Sequence, residues 1–520
     1  MPSLKTDLSR AYGEPIETHT SWVFLDGERV WKIKKPVNFG FLDHTTAEKR
    51  RVSCEAEVRL NARLAPRVYR GVVPVTRDAT GRHAVGGDGE IVDWAVEMVR
   101  LDESTRGDVL LERGLLTRAD VSRIAEHIAA FHARMASGPE IAAYGMPDSV
   151  LANVRENFTQ TRDAVRSHVG EAAAVEIEAK QVGFVEAHRD VFLSRIQSGR
   201  IRDGHGDLRL EHVYLSPDEP PTIIDCIEFN DRFRYADVCA DVAFLSMDLE
   251  RLGRADFAEQ FLAAYARASN DYGLYALADF YEGYRAHVRA KVASILARDE
   301  GASFETRESA ESAARLAFLL TLATGRKSLM EPTVVAVGGI IASGKSTVSE
   351  RLSELLSAPI VDADRTRKDM LRTTPTARLD DAAWAGAYSE AFTERVYAEV
   401  VRRASDVLSS GRPVILDASF RSRKFRALAK ELAASHGVPF CFVECRVALE
   451  ECKRRLIRRR EAPSISDGRL EILDAFMARW EPVDELDAAE HIVMDTGESL
   501  EKGLAELAPR LPVWPRGLNR

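Results

Sequence analysis

The first part of the chain alternates between apolar and polar positions in a way that predicts β-strands. Trp22–Leu25 and Arg29–Lys34 flank a turn at Asp26–Gly27, which is typical of a β-hairpin. Because side chains alternate along a strand, Lys32 and Lys34 are predicted to share one face of the second strand. Lysines in such a position are most often solvated, so the pattern alone assigns them no function.

Beyond the hairpin, the hydrophobic spacing indicates a small mixed region followed by a long helical one. The predicted elements are a helix over 46–64, strands over 72–76 and 91–98, helices from 117 to 198, and helices from about 236 to 324. Two segments that combine a loop with a strand, 203–215 and 220–229, interrupt the helices. This order predicts an α+β domain.

A different pattern begins after a turn-rich segment at 324–332, which is predicted to be a linker. Thr333–Val337 is a short apolar, β-branched run that indicates a buried strand, and residues 347–356 have the spacing of an amphipathic helix. Further strands are predicted at the apolar runs 359–362, 412–417 and 440–445. Strands that alternate with helices predict a three-layer α/β domain with a mainly parallel sheet.

A glycine-rich motif, Gly339-x-x-x-x-Gly344-Lys345-Ser346, lies between that first strand and its helix. A strand, a glycine loop and a helix form the context that a phosphate-binding P-loop requires. Backbone N–H groups and the helix N-terminus would surround the phosphates, Lys345 would reach the β- and γ-phosphates, and Ser346 would hold Mg²⁺. The alternative, a turn that only caps a helix, is far less compatible with these flanks. The predicted nucleotide-binding residues here are Gly339, Ser343, Gly344, Lys345, Ser346 and Thr347.

Composition describes an ordinary globular protein of more than one domain. The 520 residues are 45% hydrophobic and 29% charged, and the net charge of −9 argues against nucleic acid as a main partner. The six cysteines form no C-x-x-C pair and are predicted to be reduced core residues. We find no signal-peptide core and no run of 18 apolar residues, so a cytoplasmic protein without a membrane partner is expected.

The interrupting segments contain His205-Gly-Asp207-Leu and, farther on, Ile224-Asp225. In phosphoryl transfer, one carboxylate can orient the nucleophile's proton while a second holds the Mg²⁺ that bridges the phosphates. These motifs resemble the catalytic loop and the metal-binding aspartate of aminoglycoside phosphotransferases and choline-kinase-like enzymes. The resemblance covers residues 16–325, with Asp237 and Asp241 matching downstream aspartates of that family. The alternative for His205 and Asp207 is a turn held by structural hydrogen bonds.

The resemblance implies a protein-kinase-like domain of two lobes, about 1–115 and 116–328, that binds ATP and Mg²⁺. Asp207 would be the catalytic base and Asp225 the principal Mg²⁺ ligand. Lys32 would contact the α- and β-phosphates and Glu57 would be its partner on the helix, although Lys34 and Glu55 compete for these roles. Glu97 and Met98 would belong to the hinge that meets adenine.

The sequence departs from that family at two places. His212 stands where the family has an Asn that holds a second metal ion. An imidazole is a less suitable ligand for Mg²⁺, so Mn²⁺ use, a single metal or lost catalysis all remain open. The glycine-rich loop expected over 18–27 contains only Gly27.

The region 333–512 resembles the group of gluconate kinases, shikimate kinases and zeta toxins, and the P-loop domain is predicted to span 329–520. The resemblance implies that Asp364 is a catalytic base on the acceptor side and that Arg367 anchors the acceptor. Asp417 would lie near Mg²⁺, and Arg455 and Arg459, on one helix face, would belong to a lid over the nucleotide. The alternatives are a helix N-cap at Asp364 and a solvated basic helix.

Together these features predict an ATP-dependent kinase with two modules that phosphorylates a hydroxylated small molecule such as a sugar, an amino sugar or an aminoglycoside. Neither the acceptor nor the oligomeric state follows from the sequence. The main alternative is a regulatory protein that joins a pseudokinase to a P-loop switch domain, in line with His212 and the weak glycine loop. A zeta-toxin-like poison is a third hypothesis.

Overall fold

A computed structural model describes residues 3–18, 20–38, 40, 42–325, 330–377, 379, 384–459, 465–512 and 514, with only the backbone for Arg459. The chain forms two compact units. The first contains Met1–Arg166 and Ala174–Asp248, and the second contains Ser167–Ala173 and Leu249–Arg520. The predicted sequence boundary at 328/329 is a different division and stays a prediction.

The first unit is built around an antiparallel sheet of six strands in the order β1-β2-β3-β6-β4-β5. Its elements up to residue 99 are α1 (Leu4–Tyr12), β1 (Ile16–Glu17), β2 (Ser21–Asp26), β3 (Arg29–Lys34), α2 (Ala47–Asn61), β4 (Tyr69–Arg77), β5 (His83–Val85) and β6 (Glu90–Val99). The predicted hairpin is confirmed by β2 and β3, which pair with Asp26 opposite Arg29. Helix α1 and strand β5 have no counterpart among the predicted elements.

The two faces of this sheet are covered by different helices. Cys54 and Val58 of α2 pack with Val30, Val96 and Met98 on one face. Leu8 of α1 packs with Phe24, Trp31, Ile33 and Ala95 on the other. Because side chains alternate along β3, Lys32 and Lys34 share the face that α2 covers.

Helices form most of the remainder of this unit, and two short strand pairs fix the loops between them. The helices are α3 (Gly107–Glu112), α4 (Arg118–Arg134), α5 (Pro139–Ala142), α6 (Pro147–Val169), α7 (Glu171–Ala187), α8 (Arg189–Gln197) and α9 (Val238–Arg251). The strands are β7 (Ile201–Asp203), β8 (Val213–Tyr214), β9 (Thr222–Ile223) and β10 (Tyr235–Asp237), paired antiparallel as β7 with β10 and β8 with β9. The loops after β7 and β9 carry the predicted catalytic residues.

The second unit contains a sheet of five parallel strands in the order β12-β13-β11-β14-β15. The strands are β11 (Val334–Gly339), β12 (Ile360–Asp362), β13 (Val414–Asp417), β14 (Phe440–Arg446) and β15 (His491–Asp495). The helices are α10 (Ala255–Ser269), α11 (Ala278–Ala297), α12 (Phe304–Ala323), α13 (Lys345–Leu356), α14 (Ala363–Met370), α15 (Glu390–Ser409), α16 (Arg423–His436), α17 (Leu449–Arg459), α18 (Leu470–Met477) and α19 (Leu500–Leu507). The predicted parallel sheet is therefore confirmed.

Strand β11 lies in the centre of that sheet and is buried along its whole length. Val335 and Val337 of β11 pack with Val348 and Leu352 of α13 in a core that also includes Leu507 of α19. A central strand that is buried on both sides explains why its sequence is an unbroken apolar run. The C-terminal end of β11 leads directly into the P-loop.

Two further predictions concern the cysteines and the membrane. All six cysteines are described, and each is buried and takes part in no disulfide bond. None of the described helices is both long enough and apolar enough to span a bilayer.

Candidate active sites

In the first unit, the loop after β7 is held in shape by Asp241 of α9. The Asp241 carboxylate accepts hydrogen bonds from the backbone N–H groups of His205, at 2.6 Å, and Gly206, at 2.8 Å. His205 Nε2 donates to the Ile224 carbonyl oxygen at 3.0 Å, and burial lowers the pKa of His205 to about 4. His205 is thus a neutral residue that ties the loop of Asp207 to the segment of Asp225.

Asp225 follows β9 in an unusual backbone conformation, with φ at 62°. A non-glycine residue in the left-handed region is uncommon and is found most often at functional sites. Its Oδ1 lies 2.7 Å from Lys32 Nζ. Burial opposes ionisation of Asp225, but the Lys32 ammonium outweighs it and lowers the pKa of the carboxyl group.

The predicted pairing of the strand lysine with the helix glutamate is present. Lys32 Nζ lies 2.8 Å from Glu57 Oε1, and Lys34 Nζ lies 2.5 Å from Glu57 Oε2. Glu55 instead pairs with Arg51 on the exposed side of α2. Lys34 also pairs with Glu228, so both lysines belong to one buried ionic network, and Lys32 is the one that reaches Asp225.

The structure brings Asp207 and His212 together with Arg209, which was not among the predicted site residues. Arg209 forms a two-pronged ion pair with the Asp207 carboxylate, with Nη2 at 3.0 Å from Oδ2 and Nε at 3.1 Å. Arg209 Nη2 also lies 2.9 Å from His212 Nε2. His212 Nε2 is 3.9 Å from Asp225 Oδ2. The position of Arg209, two residues after the predicted base, is the signal that could have identified it.

The two residues that are predicted to form the hinge lie on an interior strand of the sheet. Glu97 and Met98 are in β6, which is paired with β3 on one side and β4 on the other. Met98 is buried opposite Val30 on the face of Lys32, and Glu97 lies on the opposite face by alternation. Their predicted contact with adenine stays a prediction.

The P-loop of the second unit has the expected geometry. A Cβ atom on Gly339, at φ 144°, would lie 2.5 Å from the carbonyl oxygen of Cys445, and Gly344 has φ 92°, so both positions require glycine. Lys345 Nζ donates to the Ile340 carbonyl oxygen at 2.8 Å, which holds the ammonium over the loop. Ser346 and Thr347 begin α13 and line the pocket in front of the loop, whereas Ser343 is fully buried beneath it.

Asp417 ends β13 beside the P-loop, and its carboxyl group and the Ser346 side chain line the same pocket. Burial and the nearby Asp362 carboxylate raise the pKa of Asp417 to about 7. Its buried Oδ2 has no hydrogen-bond partner within the described residues. A buried carboxylate oxygen without a partner, next to a serine hydroxyl, fits the oxygen ligands that Mg²⁺ prefers. Across the described ranges, no cluster of three or more His, Cys, Asp or Glu side chains forms a ready-made metal site.

The first turn of helix α14 shows whether Asp364 is the N-cap of that helix. The N-cap is Asp362, whose Oδ1 accepts the backbone N–H groups of Asp364, at 2.8 Å, and Arg365, at 3.0 Å. The alternative of an N-cap at Asp364 is therefore wrong, because the earlier aspartate already satisfies the exposed N–H groups. The Asp364 carboxyl faces the pocket, where burial and the Asp362 charge raise its pKa to about 6.

The same pocket contains basic and aromatic groups at a distance from the P-loop. Arg367 is buried, donates to the Ala387 carbonyl oxygen at 2.5 Å, and lies over the Tyr388 ring at 4.5 Å. Arg421 is 9% exposed and lies over the Trp384 ring at 4.5 Å, and its guanidinium has no carboxylate or hydrogen-bond partner within the described residues. Arg421 was missed in the sequence, although its place four residues after Asp417 follows a strand end, where ligands bind in α/β folds.

Of the two predicted lid arginines, Arg455 contacts the P-loop. Its Nη1 donates to the Ala342 carbonyl oxygen at 3.3 Å and its Nη2 to the Thr496 carbonyl oxygen at 2.7 Å. Arg455, a residue of α17, is thus held against the P-loop by these hydrogen bonds. The side chain of Arg459 lies outside the described residues, so its predicted role stays a prediction.

Comparison with known proteins assigns both regions. The family described as "Phosphotransferase enzyme family" matches residues 40–280, and the family described as "AAA domain" matches residues 334–483. The uncharacterized protein Rv2004c of Mycobacterium tuberculosis is 34% identical over 476 residues, which cover 91% of this chain and 92% of that protein. The uncharacterized protein Mb2027c of Mycobacterium bovis matches to the same extent.

Two solved structures that resemble this chain each cover about one third of it. A sugar kinase from Janibacter sp. HTCC2649 is 16% identical, covers 36% of this chain and 96% of its own, and has a TM-score of 0.28. A gluconokinase from Sinorhizobium meliloti 1021 is 22% identical, with 35% and 96% coverage and a TM-score of 0.24. Similarity at this level does not bear on the substrate.

Proposed function

We propose that this chain, which belongs to the same family as the mycobacterial protein Rv2004c and joins a phosphotransferase-family domain to a P-loop kinase domain, is an ATP-dependent phosphotransferase with two kinase modules. The first module, about 1–328, has the two-lobed arrangement of protein-kinase-like enzymes, and the second occupies 329–520. Each transfers the γ-phosphoryl group of ATP to a hydroxyl group of a small molecule. The protein works in the cytoplasm and has neither nucleic acid nor membrane as a partner.

One observation supports this proposal most directly. The P-loop lysine Lys345 and Asp364, a partly buried carboxylate with a pKa raised to about 6, line the same pocket. A kinase needs a cation where the phosphates bind and a base where the acceptor hydroxyl arrives. A nucleotide switch that transfers nothing has no use for a second acid with a pKa tuned towards neutrality.

In the second module, Asp364 takes the proton of the acceptor hydroxyl while the acceptor oxygen forms a bond to the γ-phosphorus. The bond between that phosphorus and the bridging oxygen breaks, and ADP leaves with the bond's electron pair. Lys345 and the backbone of the P-loop stabilise the negative charge on the phosphates. Mg²⁺, when bound, supplies further charge neutralisation, and Ser346 and Asp417 are the residues that would hold it.

In the first module, Asp207 is the corresponding base and Lys32, held by Glu57, binds the phosphates. Asp225 would hold Mg²⁺ there. The ion pairs place Lys32, which the buried Glu57 holds, next to the more exposed Asp225 carboxylate, so a phosphate and a metal ion would meet at this point.

The acceptor of the second module is a neutral or anionic polyol, because the pocket presents Arg367 to it and also Arg421, whose guanidinium pairs with no carboxylate among the residues that the structure describes. An amino sugar or aminoglycoside is proposed as an acceptor for the first module. Arg421 over Trp384 forms a flat, charged wall that suits a carboxylate or phosphate group on a ring.

The regulatory alternative, in which the first module is a pseudokinase, is supported by the short glycine loop and by His212. The experiment that separates the two proposals uses the full chain and [γ-³²P]ATP with a panel of sugars, sugar acids, sugar phosphates and aminoglycosides. We expect transfer to different acceptors to be lost in Lys345→Ala and in Asp207→Asn. Loss of all transfer in Lys345→Ala, with full transfer in Asp207→Asn, would favour the pseudokinase. No transfer by the wild-type protein to any acceptor would contradict the two-kinase proposal.

A further inference from the structure

The protonation of His212 follows from its contacts. His212 Nδ1 lies 2.9 Å from the carbonyl oxygen of Asp207. A carbonyl oxygen only accepts hydrogen bonds, so Nδ1 carries the hydrogen and the lone pair of the neutral ring is on Nε2. The ring is neutral, because Nε2 faces a donor of Arg209 and a protonated imidazole has no lone pair with which to accept that hydrogen bond. Nε2 is therefore the only atom with which His212 could bind a metal ion.

That lone pair is already occupied. Arg209 Nη2 lies 2.9 Å from His212 Nε2, and a guanidinium group has donors only, so the imidazole accepts this hydrogen bond. The same guanidinium bonds both oxygens of Asp207 through Nε, at 3.1 and 3.2 Å, and one of them through Nη2, at 3.0 Å. Arg209 also pairs with the Glu211 carboxylate, and its guanidinium is charged at all pH values at which the protein is folded.

A second metal ion does not fit this arrangement. Such an ion would need the Nε2 lone pair of His212 as a ligand, but that lone pair accepts a hydrogen bond from Arg209. It would also need open access to the carboxylates, but the Arg209 guanidinium is already paired with Asp207. The predicted roles of His212 as a metal ligand and of Mn²⁺ at this site are therefore not supported by the geometry. The fixed positive charge stands where the family resemblance expects a divalent cation.

We infer that Arg209 replaces the second metal ion, so that the site of the first module takes a single divalent cation, at Asp225. This inference rests on the proposed kinase function of that module. His212 is then a positioning residue: its Nδ1 fixes the ring on the Asp207 backbone, and its Nε2 fixes the guanidinium beside the base.

The test counts Mn²⁺ ions on the full chain in the presence of the non-hydrolysable analogue AMP-PNP, from the loss of the free-ion EPR signal. The P-loop site adds the same number to each protein, so differences report the first module. We expect Asp225→Asn to bind one ion fewer than the wild type, and the double variant Arg209→Gln, His212→Asn to bind one ion more. Arg67→Gln, at a surface arginine whose side chain is 81% exposed, should leave the count unchanged.

The EPR line shape gives a second readout that needs no variant. Two Mn²⁺ ions that share a site are spin-coupled, so the wild type should show only uncoupled ions and the double variant a coupled pair. A coupled pair in the wild type, or the loss of two ions in Asp225→Asn, would overturn the inference, as would a double variant that melts like the wild type and gains no ion. An unchanged count in Asp225→Asn would instead contradict the proposed metal–nucleotide site itself.

Discussion

At the scale of single residues, the most informative position is Asp362. Asp362 and Asp364 are both suitable N-caps, and the sequence does not distinguish them. The structure assigns the cap to Asp362, which leaves the Asp364 carboxyl to the pocket and also puts a negative charge beside it. Asp362 thus caps helix α14 and also contributes to the raised pKa of Asp364.

The first prediction concerns Asp364 as a base. A base must be ionised to accept a proton, so turnover at the P-loop site should fall as the pH drops below about 6. Asp364→Asn should reduce turnover by at least about 10²-fold at every pH. Asp362→Asn keeps an N-cap but removes the charge that raises the pKa, so its acid limb should move to lower pH. An acid limb at the same pH in Asp362→Asn would contradict this role of Asp362.

The second prediction concerns Lys345. Because its ammonium group is held over the P-loop, Lys345→Ala should lower nucleotide turnover at this site by about 10²–10³-fold, the loss typical of a group that stabilises transition-state charge. Lys424→Ala is the matched control, since that side chain is 61% exposed on α16 and should matter little. The turnover of the two full-length variants, Lys345→Ala and Lys424→Ala, is measured as acceptor-dependent release of ADP. Equal rates in the two variants would exclude the proposed phosphate contact.

At the scale of elements, the loop that carries Asp207 in the first unit depends on a helix that is distant in sequence. Asp241 of α9 accepts two backbone N–H groups of the loop, and a Cβ atom on Gly204 would lie 2.3 Å from one of its oxygens. The loop is therefore shaped by a buried carboxylate that fits only against glycine. Local sequence around Asp207 contains no sign of this support.

The third prediction follows from that support. In Asp241→Asn, one amide NH₂ group would face a backbone N–H group, so a charged hydrogen bond worth about 2 kcal/mol would be lost. We expect a lower melting temperature for the full chain together with weaker transfer by the first module. Asp231→Asn is the control, because its carboxylate is 58% exposed and its ion pair with Arg234 should contribute less than about 1 kcal/mol. Equal melting of the two variants would contradict the structural role of Asp241.

Elements with strong periodicity were predictable, and those that depend on distant partners were not. The β2–β3 hairpin and the strand, loop and helix of the P-loop follow from alternation and glycine placement. Strand β15 was missed because its isolated edge run, His491–Asp495, becomes a strand only by pairing with β14. The positions of Arg209 and Arg421, shortly after predicted site aspartates, mark both as candidates in the sequence, but what each guanidinium contacts depends on the groups that the fold places around it.

At the scale of the whole molecule, the second compact unit contains helices that precede the predicted linker. Arg412, next to β13, is buried between Glu259 of α10, at 2.7 Å, and Asp279 of α11, at 2.9 Å. Tyr272, between those helices, donates to the Ile360 carbonyl oxygen in β12 at 2.5 Å. These helices begin within the region matched by the phosphotransferase family, yet they pack against the P-loop sheet.

The last prediction concerns where the P-loop unit begins as a folding unit. A fragment 249–520 retains both carboxylates around Arg412, whereas a fragment 330–520 leaves that arginine without them and exposes the surface that α10 and α11 cover. Losing two buried charged contacts costs several kcal/mol, and about 2–4 °C of melting temperature accompanies each kcal/mol in a unit of this size.

The shorter fragment should therefore melt at least about 5 °C below the longer one. The triple variant Arg412→Met, Glu259→Gln, Asp279→Asn in the longer fragment separates the two contributions, because it removes the charged pairs without leaving unpaired carboxylates and keeps the packing of α10 and α11. Differential scanning calorimetry measures all three proteins, and each should unfold in one transition if it is a single unit. Equal melting temperatures for 249–520 and 330–520 would mean that the helices add nothing to the fold of the P-loop sheet. The predicted boundary at 328/329 would then describe the folding units as well as the sequence motifs.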